Sequence, residues 1–254
     1  MYVIFGNYGN ETVALMQWAH EQQLAPLTVV HIETGWAAAG WEARVAQGQA
    51  YAEQCGFSAV SLAAKKNFRQ IMKQQNNFPT TKFQWCAGFL KGLAFLDWLD
   101  KVDPAATATI LIAQRRALSR AQANMPEFVA ESGHYGDRKV WYPLFDTSHQ
   151  KRDQLLERAG FPLLPHRSLE CDPCVNNTAT DFMRLQNIDI EKTATLEHAL
   201  EKFMFAPSSY GDSQGIQQVV AWIKKTDTVK TSGAKQFDMG QFDMGCGAPF
   251  GCGL

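Results

Sequence analysis

The chain has 254 residues, and 46% of them are hydrophobic, which is enough to bury the core of one large domain or of one domain with an appendage. The formal net charge of −1 argues against a strongly basic nucleic-acid-binding surface, although local basic stretches leave nucleic acid open as a partner. The N-terminus has no signal-peptide pattern, and nowhere do about 18 apolar residues follow one another, so we expect a cytoplasmic protein without membrane contact.

Short apolar runs alternate with helical patterns from the N-terminus onward. The sequence predicts five strands, at Tyr2–Phe5, Leu27–Ile32, Ala59–Leu62, Ala108–Ala113 and Val140–Leu144. It predicts helices between them, at Glu11–Gln23, Trp41–Gln54 and Phe89–Leu99. This alternation is typical of the α/β class with a doubly wound parallel sheet, in which ligands bind outside the carboxyl ends of the strands. We assign residues 1–165 to this domain.

The pattern changes after residue 165. Prolines punctuate the stretch that follows, and helical patterns return near Asp181–Leu185, Leu196–Phe205 and Gln217–Lys224. We expect a loop-rich and helix-rich region over residues 166–235. The tail over residues 236–254 repeats Gln-Phe-Asp-Met-Gly and is rich in glycine, so it offers few side chains to bury. We therefore expect a flexible tail that becomes ordered only by docking or by binding a ligand.

Polar residues follow three of the predicted strands. They are Asn7–Thr12, the turn Glu33-Thr34-Gly35, and the pair Arg115-Arg116. Backbone N–H groups at a helix N-terminus and arginine side chains both bind anions such as phosphate. Helix capping by Asn and Thr, and a solvated arginine cluster, are the alternatives. Taken together, the three strand ends predict an anionic, nucleotide-type ligand at one edge of the sheet.

Four of the six cysteines fall in two groups, Cys171-x-x-Cys174 and the tail pair Cys246 and Cys252. Structural disulfides are rare in a reducing cytoplasm, so clustered cysteines indicate metal, iron–sulfur or redox chemistry. The Cys-x-x-Cys spacing alone leaves three interpretations open: a cluster, a zinc site and a thioredoxin-like dithiol.

Several motifs, in their order along the chain, resemble the phosphoadenylyl-sulfate (PAPS) reductase family of adenine nucleotide alpha-hydrolase (PP-loop) folds. The resemblance covers about Tyr2 to Asn176 and rests on Asn7–Thr12, Glu33-Thr34-Gly35, Arg115-Arg116-x-x-Ser119-Arg120, Tyr142-Pro143-Leu144 and Cys171-x-x-Cys174. The sequence departs from the family pattern at four places. Asn7-Tyr8-Gly9 replaces the usual Ser-Gly-Gly, Glu11 replaces the aspartate before the hydroxyl residue, Glu33 replaces aspartate, and Gln114 replaces glycine.

The resemblance implies an adenine nucleotide as ligand or substrate. It assigns nucleotide binding to Asn7, Gly9, Asn10, Thr12, Thr34, Gly35, Arg115 and Arg116. It also implies a [4Fe-4S] cluster bound by Cys86, Cys171 and Cys174, and Cys246 is the predicted fourth ligand. Cys252 or an open coordination position on one iron could replace Cys246. Zinc is the alternative metal. Cys246 or Cys252 would act as the nucleophile toward sulfur, and a thioredoxin-like dithiol would be the reductant.

The sequence therefore predicts a PAPS reductase-like oxidoreductase that carries out thiol- or iron–sulfur-dependent sulfur reduction or transfer. One alternative is a sulfurtransferase that cleaves ATP to AMP and pyrophosphate while inserting sulfur into nucleic acid. The other is a non-catalytic nucleotide-binding or metal-binding module, which the altered Asn7-Tyr8-Gly9 loop favours.

Overall fold

The computed structural model describes residues 1–81, 83–118, 125–205, 212–230 and 250. Six strands lie in these ranges: β1 Tyr2–Phe5, β2 Leu27–Glu33, β3 Ser58–Ala63, β4 Thr109–Leu111, β5 Phe128–Ser132 and β6 Arg138–Trp141. The α-helices are α1 Asn10–Glu21, α2 Trp41–Gln54, α3 Phe68–Gln75, α4 Leu93–Val102, α5 His149–Arg158, α6 Ala179–Arg184, α7 Asn187–Leu200 and α8 Gly215–Lys230. A π-helix, Ala87–Gly92, leads directly into α4.

The strands form one sheet in the order β3-β2-β1-β4-β6-β5. Every neighbouring pair is parallel except β5 and β6. The predicted α/β class with a doubly wound parallel sheet is therefore confirmed, and the edge strand β5 is the antiparallel exception. Because the chain moves outward from β1 first toward β3 and later toward β4, the strand order reverses between β1 and β4. A reversal of this kind opens a crevice at the carboxyl ends of the two strands.

Buried aliphatic residues explain why the central strands form. Val3 and Ile4 of β1 and Ile110 and Leu111 of β4 are fully buried, as expected for parallel strands covered on both faces. One apolar cluster joins Ile4 and Leu111 to α1 and α5, and a second joins Val3 and Ile110 to α4. The two faces of the sheet are thus covered by different helices.

A third apolar cluster lies around Trp36, whose ring stacks on Phe68 of α3 at a centroid distance of 4.4 Å. It includes Cys171 and Cys174, together with residues of α6, α7 and α8. No strand follows β6 in the described ranges, and helices dominate there instead. The domain boundaries at residues 165 and 235 stay a prediction.

Two helices and one strand were not predicted from the sequence, and one predicted helix lies at a different place in the chain. Helix α5 is strongly polar and β5 is a five-residue edge strand, so their apolar periodicity is weak. Helix α3 does carry Phe68, Ile71 and Met72 at helical spacing, but it is only eight residues long. The helix predicted at Leu196–Phe205 instead spans Asn187–Leu200, and it ends because Glu201 takes the left-handed conformation with φ 51°. No helix in the described part of the chain is long and apolar enough to cross a membrane.

Candidate active site

The first cavity lies at the crevice between β1 and β4. Its space, counted together with the open solvent at its mouth, is about 440 Å³, and two predicted binding residues, Asn7 and Thr12, line it. The segment after β4 contributes Ile112, Ala113 and Gln114 to its wall. Its remaining lining residues come from several elements and are Phe5, Gly6, Glu11, Lys91, Tyr135, Glu170 and Phe250.

The loop between β1 and α1 is held in shape by its own side chains. Asn7 Oδ1 accepts hydrogen bonds from the backbone N–H of Gly9 at 3.0 Å and from Thr12 Oγ1 at 3.1 Å. The backbone N–H of Asn7 donates to Thr12 Oγ1 at 3.2 Å. Gly6 must be a glycine here, because a Cβ atom would fall 2.3 Å from Thr12 Cγ2. Asn7 and Thr12 therefore preorganise the turn at the N-terminus of α1, where backbone N–H groups favour an anion.

Asn10 stabilises the same loop, but it lies outside the lining of the cavity. Its side chain donates to the carbonyl of Leu164 at 2.9 Å and accepts from the N–H of Leu164 at 3.0 Å. This exchange ties the start of α1 to the segment that leads toward the Cys-x-x-Cys motif. A direct contact of Asn10 or Gly9 with a nucleotide stays a prediction, because neither residue lines the cavity.

A buried ion pair borders the first cavity. Lys91 Nζ donates to Glu170 Oε1 at 2.6 Å, and Asn7 Nδ2 donates to the same oxygen at 3.1 Å. Burial acts to raise the pKa of Glu170, but the charges of Lys91 and His31 and the two hydrogen bonds hold it below its ordinary value. Burial in turn lowers the pKa of His31, whose Nδ1 lies 3.4 Å from the carbonyl oxygen of Gly6. The carboxylate of Glu170 is thus kept ionised in the interior by its partners.

The second cavity contains the predicted thiol cluster. Cys86, Cys171 and Cys174 all line it, and its space, counted together with the open solvent at its mouth, is about 420 Å³. Lys91 lines both cavities, and its partner Glu170 directly precedes Cys171. The ion pair between Lys91 and Glu170 therefore lies between the loop after β1 and the thiols.

The turn after β2 positions the Cys-x-x-Cys segment. Thr34 Oγ1 donates to the carbonyl of Glu170 at 2.6 Å, and Trp36 forms an isolated parallel bridge with Cys171. Trp36 Nε1 donates to the carbonyl of Pro173 at 3.0 Å. Gly35 has φ +66°, and a Cβ atom on it would fall 2.8 Å from Asn67 Cβ, so this turn needs a glycine. Thr34 and Gly35 support the thiol segment here, and their contact with a nucleotide stays a prediction.

The three cysteines suit a cluster or zinc by donor type, because thiolate is the ligand that both prefer in proteins. Within the described residues, however, no group of three His, Cys, Asp or Glu side chains is arranged to hold a metal ion. The predicted fourth ligand, Cys246, lies outside these residues, as do the second tail thiol, Cys252, and the pair Ser119 and Arg120. The cluster and the zinc site both stay predictions.

The two predicted anion-binding arginines have different surroundings. Arg115 is completely buried and donates to both oxygens of Glu11, at 2.6 and 3.0 Å. Arg116 is exposed, pairs with Asp146 at 2.8 Å, and lies over the ring of Phe145. Neither arginine lines the first cavity, so nucleotide binding by them stays a prediction.

Sequence reasoning did not select Glu170 and Tyr135, which line the first cavity. Tyr135 follows β5, a strand that the sequence did not predict, so no pattern indicated its position. The only local signal for Glu170 is its place next to Cys171.

No protein-family model and no curated protein match this sequence. Solved structures similar to it include a PAPS reductase from Candida auris in a phosphate complex, at 9% identity and a TM-score of 0.45, covering 64% of this chain and 74% of that one. An NMN synthetase from Francisella tularensis matches at 11% identity and a TM-score of 0.49, covering 93% and 89% of the two chains. The U34-tRNA thiolase NcsA from Methanococcus maripaludis, with its [4Fe-4S] cluster, matches at 12% identity and a TM-score of 0.46, covering 89% and 71%.

Proposed function

We propose that this chain is an enzyme that binds an adenine nucleotide in the first cavity and uses cysteine thiols to reduce or transfer sulfur. One observation carries the proposal: the cavity at the strand reversal and the cavity lined by three cysteines share Lys91. The proposed anion site and the three proposed metal ligands are thus adjacent, which supports a reaction of the bound anion beside the metal centre.

The loop and Lys91 supply the binding step. The N-terminal end of α1 carries partial positive charge, and it points toward the cavity that Asn7 and Thr12 line. A phosphate or sulfate group that enters this cavity competes with Glu170 for the ammonium group of Lys91. The Lys91–Glu170 pair is buried, and its two charges cancel. The pair therefore adds no net negative charge that would repel an anion from the cavity.

The proposed chemistry begins with a thiolate that attacks the sulfur of a sulfonucleotide. The bond between that sulfur and the phosphate oxygen breaks, the nucleotide leaves with the electron pair, and an enzyme thiosulfonate remains. A thiol of an external dithiol then attacks the cysteine sulfur and releases sulfite, and its second thiol frees the cysteine. The dithiol is oxidised to a disulfide, and sulfur is reduced from the sulfate to the sulfite level. Cys246 and Cys252 are the proposed nucleophiles, and Cys86, Cys171 and Cys174 the proposed metal ligands.

The test uses the full chain, purified anaerobically and incubated with adenosine 5′-phosphosulfate or PAPS and dithiothreitol. We expect sulfite and the desulfonated nucleotide in equal amounts, and we expect the Cys246→Ser, Cys252→Ser double variant to lose turnover. Cys55→Ser is the matched control, because Cys55 is half-buried at the end of α2 and lines neither cavity. Analysis of the same sample for iron, sulfide and zinc distinguishes a cluster from a zinc site.

Two results would contradict the proposal. Release of AMP and pyrophosphate from ATP, without sulfite from either sulfonucleotide, would favour ATP-dependent sulfur insertion. Turnover that persists at the wild-type rate in the double cysteine variant would exclude the tail thiols as nucleophiles.

A further inference from the structure

Phe250 is the one residue of the predicted tail that the structure describes, and it lies inside the molecule. Its ring is only 8% exposed, and its centroid lies 4.7 Å from that of Tyr135 and 5.8 Å from that of Phe5. The centroid of the Phe95 ring lies 6.3 Å from that of Phe250, and the hydroxyl of Tyr135 is hydrogen-bonded to the Phe250 backbone. Gly92 lies directly against it, because a Cβ atom on Gly92 would fall 2.8 Å from Cδ2 of the Phe250 ring. We call the space bounded by Phe5, Gly92, Phe95 and Tyr135 the aromatic socket.

The aromatic socket belongs to the first cavity. Phe5, Tyr135 and Phe250 all line that cavity, together with Asn7 and Lys91. Phe5 is the last residue of β1, so the socket opens at the strand reversal, where α/β sheets bind ligands. A planar ring held edge-on and obliquely by three aromatic side chains is also the environment that suits a purine or other flat base.

The backbone of Phe250 is in an unfavourable conformation. Its φ of 63° lies in the left-handed region, which residues other than glycine, asparagine and aspartate seldom adopt. The contacts in the socket must therefore stabilise a conformation that the chain does not prefer by itself. A ligand that replaces these contacts releases the strain at the same time.

We infer that the aromatic socket binds the planar base of the ligand, and that Phe250 is an internal competitor that occupies it until the nucleotide enters. This inference rests on the proposed function, because it takes the ligand to be a nucleotide. If only a fraction of the molecules have an open socket, the apparent affinity for a nucleotide is reduced by that fraction. Inorganic phosphate carries no base, so it reaches the loop at Asn7 and Thr12 without displacing Phe250.

Calorimetric titration of the full chain with adenosine 5′-monophosphate (AMP), and separately with inorganic phosphate, tests the inference. We expect Phe250→Ala to lower the Kd for AMP by about tenfold and to leave the Kd for phosphate unchanged. Phe250→Tyr keeps an aromatic ring, so it should behave as the wild type does. Phe203→Ala is the control, because Phe203 is exposed and lines neither of the two cavities.

A second variant tests the socket from its other side. Gly92 has φ −57° and ψ −49°, which alanine also adopts, so Gly92→Ala should keep the fold while its methyl group fills part of the socket. Because the same methyl group would also clash with the Phe250 ring, it is tested without that ring: the double variant Gly92→Ala, Phe250→Ala should have a higher Kd for AMP than Phe250→Ala, with the Kd for phosphate unchanged. Thermal unfolding of each variant verifies that the fold is retained.

Three results would overturn the inference. If the wild type binds AMP and Phe250→Ala binds it no more tightly, Phe250 does not compete with the nucleotide. The nucleotide site itself would still stand. An equal gain for AMP and phosphate in Phe250→Ala means that the loop has loosened and that the socket holds no base. Failure of wild type, Phe250→Ala and Phe250→Tyr alike to bind AMP would overturn the nucleotide site and the inference together.

Discussion

Glu11 lies in the first turn of α1 and is enclosed by two arginines. Its carboxylate accepts hydrogen bonds from Arg115 and from Arg152, and it is almost completely buried. A carboxylate at this position satisfies part of the helix dipole that would otherwise attract a ligand anion. Arg115 and Arg152 compensate its charge, so the loop above them is not surrounded by unbalanced negative charge. At this scale Arg115 is primarily a partner of Glu11.

Replacement of Arg115 by methionine should therefore lower the free energy of unfolding by about 3–5 kcal/mol, because it leaves Glu11 buried with one partner fewer. Arg116→Met should cost at most about 1 kcal/mol, since the Arg116–Asp146 pair is solvent-exposed. Urea unfolding measures both values. The double variant Glu11→Gln, Arg115→Met should lose less stability than the sum of the two single variants. Strictly additive losses would show that the two side chains do not stabilise each other.

At the scale of elements, the loop after β1 is fixed by helix α2. Tyr8 takes a left-handed conformation with φ 58°, and its fully buried side chain packs against Gly48 in the middle of that helix. Arg44 of the same helix donates to the carbonyl of Tyr8 at 3.0 Å. Helix α2 thus fixes the position of the loop after β1 at Tyr8.

Gly48→Ala should reverse the usual effect of this substitution in a helix. Alanine normally stabilises a helix interior by up to about 1 kcal/mol relative to glycine, but here its Cβ would fall 2.1 Å from Tyr8 Cδ1. We expect a loss of roughly 1–3 kcal/mol from overpacking, measured by urea unfolding, and weaker phosphate binding because the loop must shift. Gly88→Ala is the matched control, since a Cβ on Gly88 meets no atom within 4 Å. Equal stability of the two variants would contradict the packing argument.

The elements also show what the sequence can and cannot predict. The bounds of β1 and α2 were predicted correctly, because an apolar run defines the first and Gly56, which follows the C-cap, marks the end of the second. The polar helix α5 has few apolar residues and gave no such signal. The motifs placed Asn7 and Thr12 at the cavity and Cys171 with Cys174 in one lining, since local patterns carry this information. The Lys91–Glu170 pair joins residues 79 positions apart, and only the packed fold brings them together.

In the molecule as a whole, separate segments of the chain meet at a buried group of polar side chains around Glu170. Glu170 comes from the segment before the thiols, Lys91 from the π-helix, and Asn7 from the loop after β1. His31 of β2 lies close enough for its charge to affect Glu170. Four separate segments of the chain therefore depend on the charge state of one centre, which makes the stability of the entire fold sensitive to pH.

Acid should destabilise the fold through His31. Burial lowers its pKa below the ordinary value of 6.5 even though Glu170 and Glu33 act in the opposite direction, so below about pH 6.5 the unfolded chain binds a proton that the folded chain does not. Its contribution to stability is complete above that pH and is lost as the pH falls toward the folded value. The pKa of Glu170 is also lowered, so its contribution is present above 4.5 and is lost in more acidic solution. His31→Gln should therefore flatten the slope of the unfolding free energy just below pH 6.5, where one proton changes it by at most about 1.4 kcal/mol per pH unit. Urea unfolding across this range measures the slope, and His134→Gln, at an exposed position, should retain the wild-type value.

An unchanged slope in His31→Gln would mean that another group causes the acid sensitivity. Glu197, whose pKa burial raises, acts in the opposite sense, and its effect is the same with and without His31.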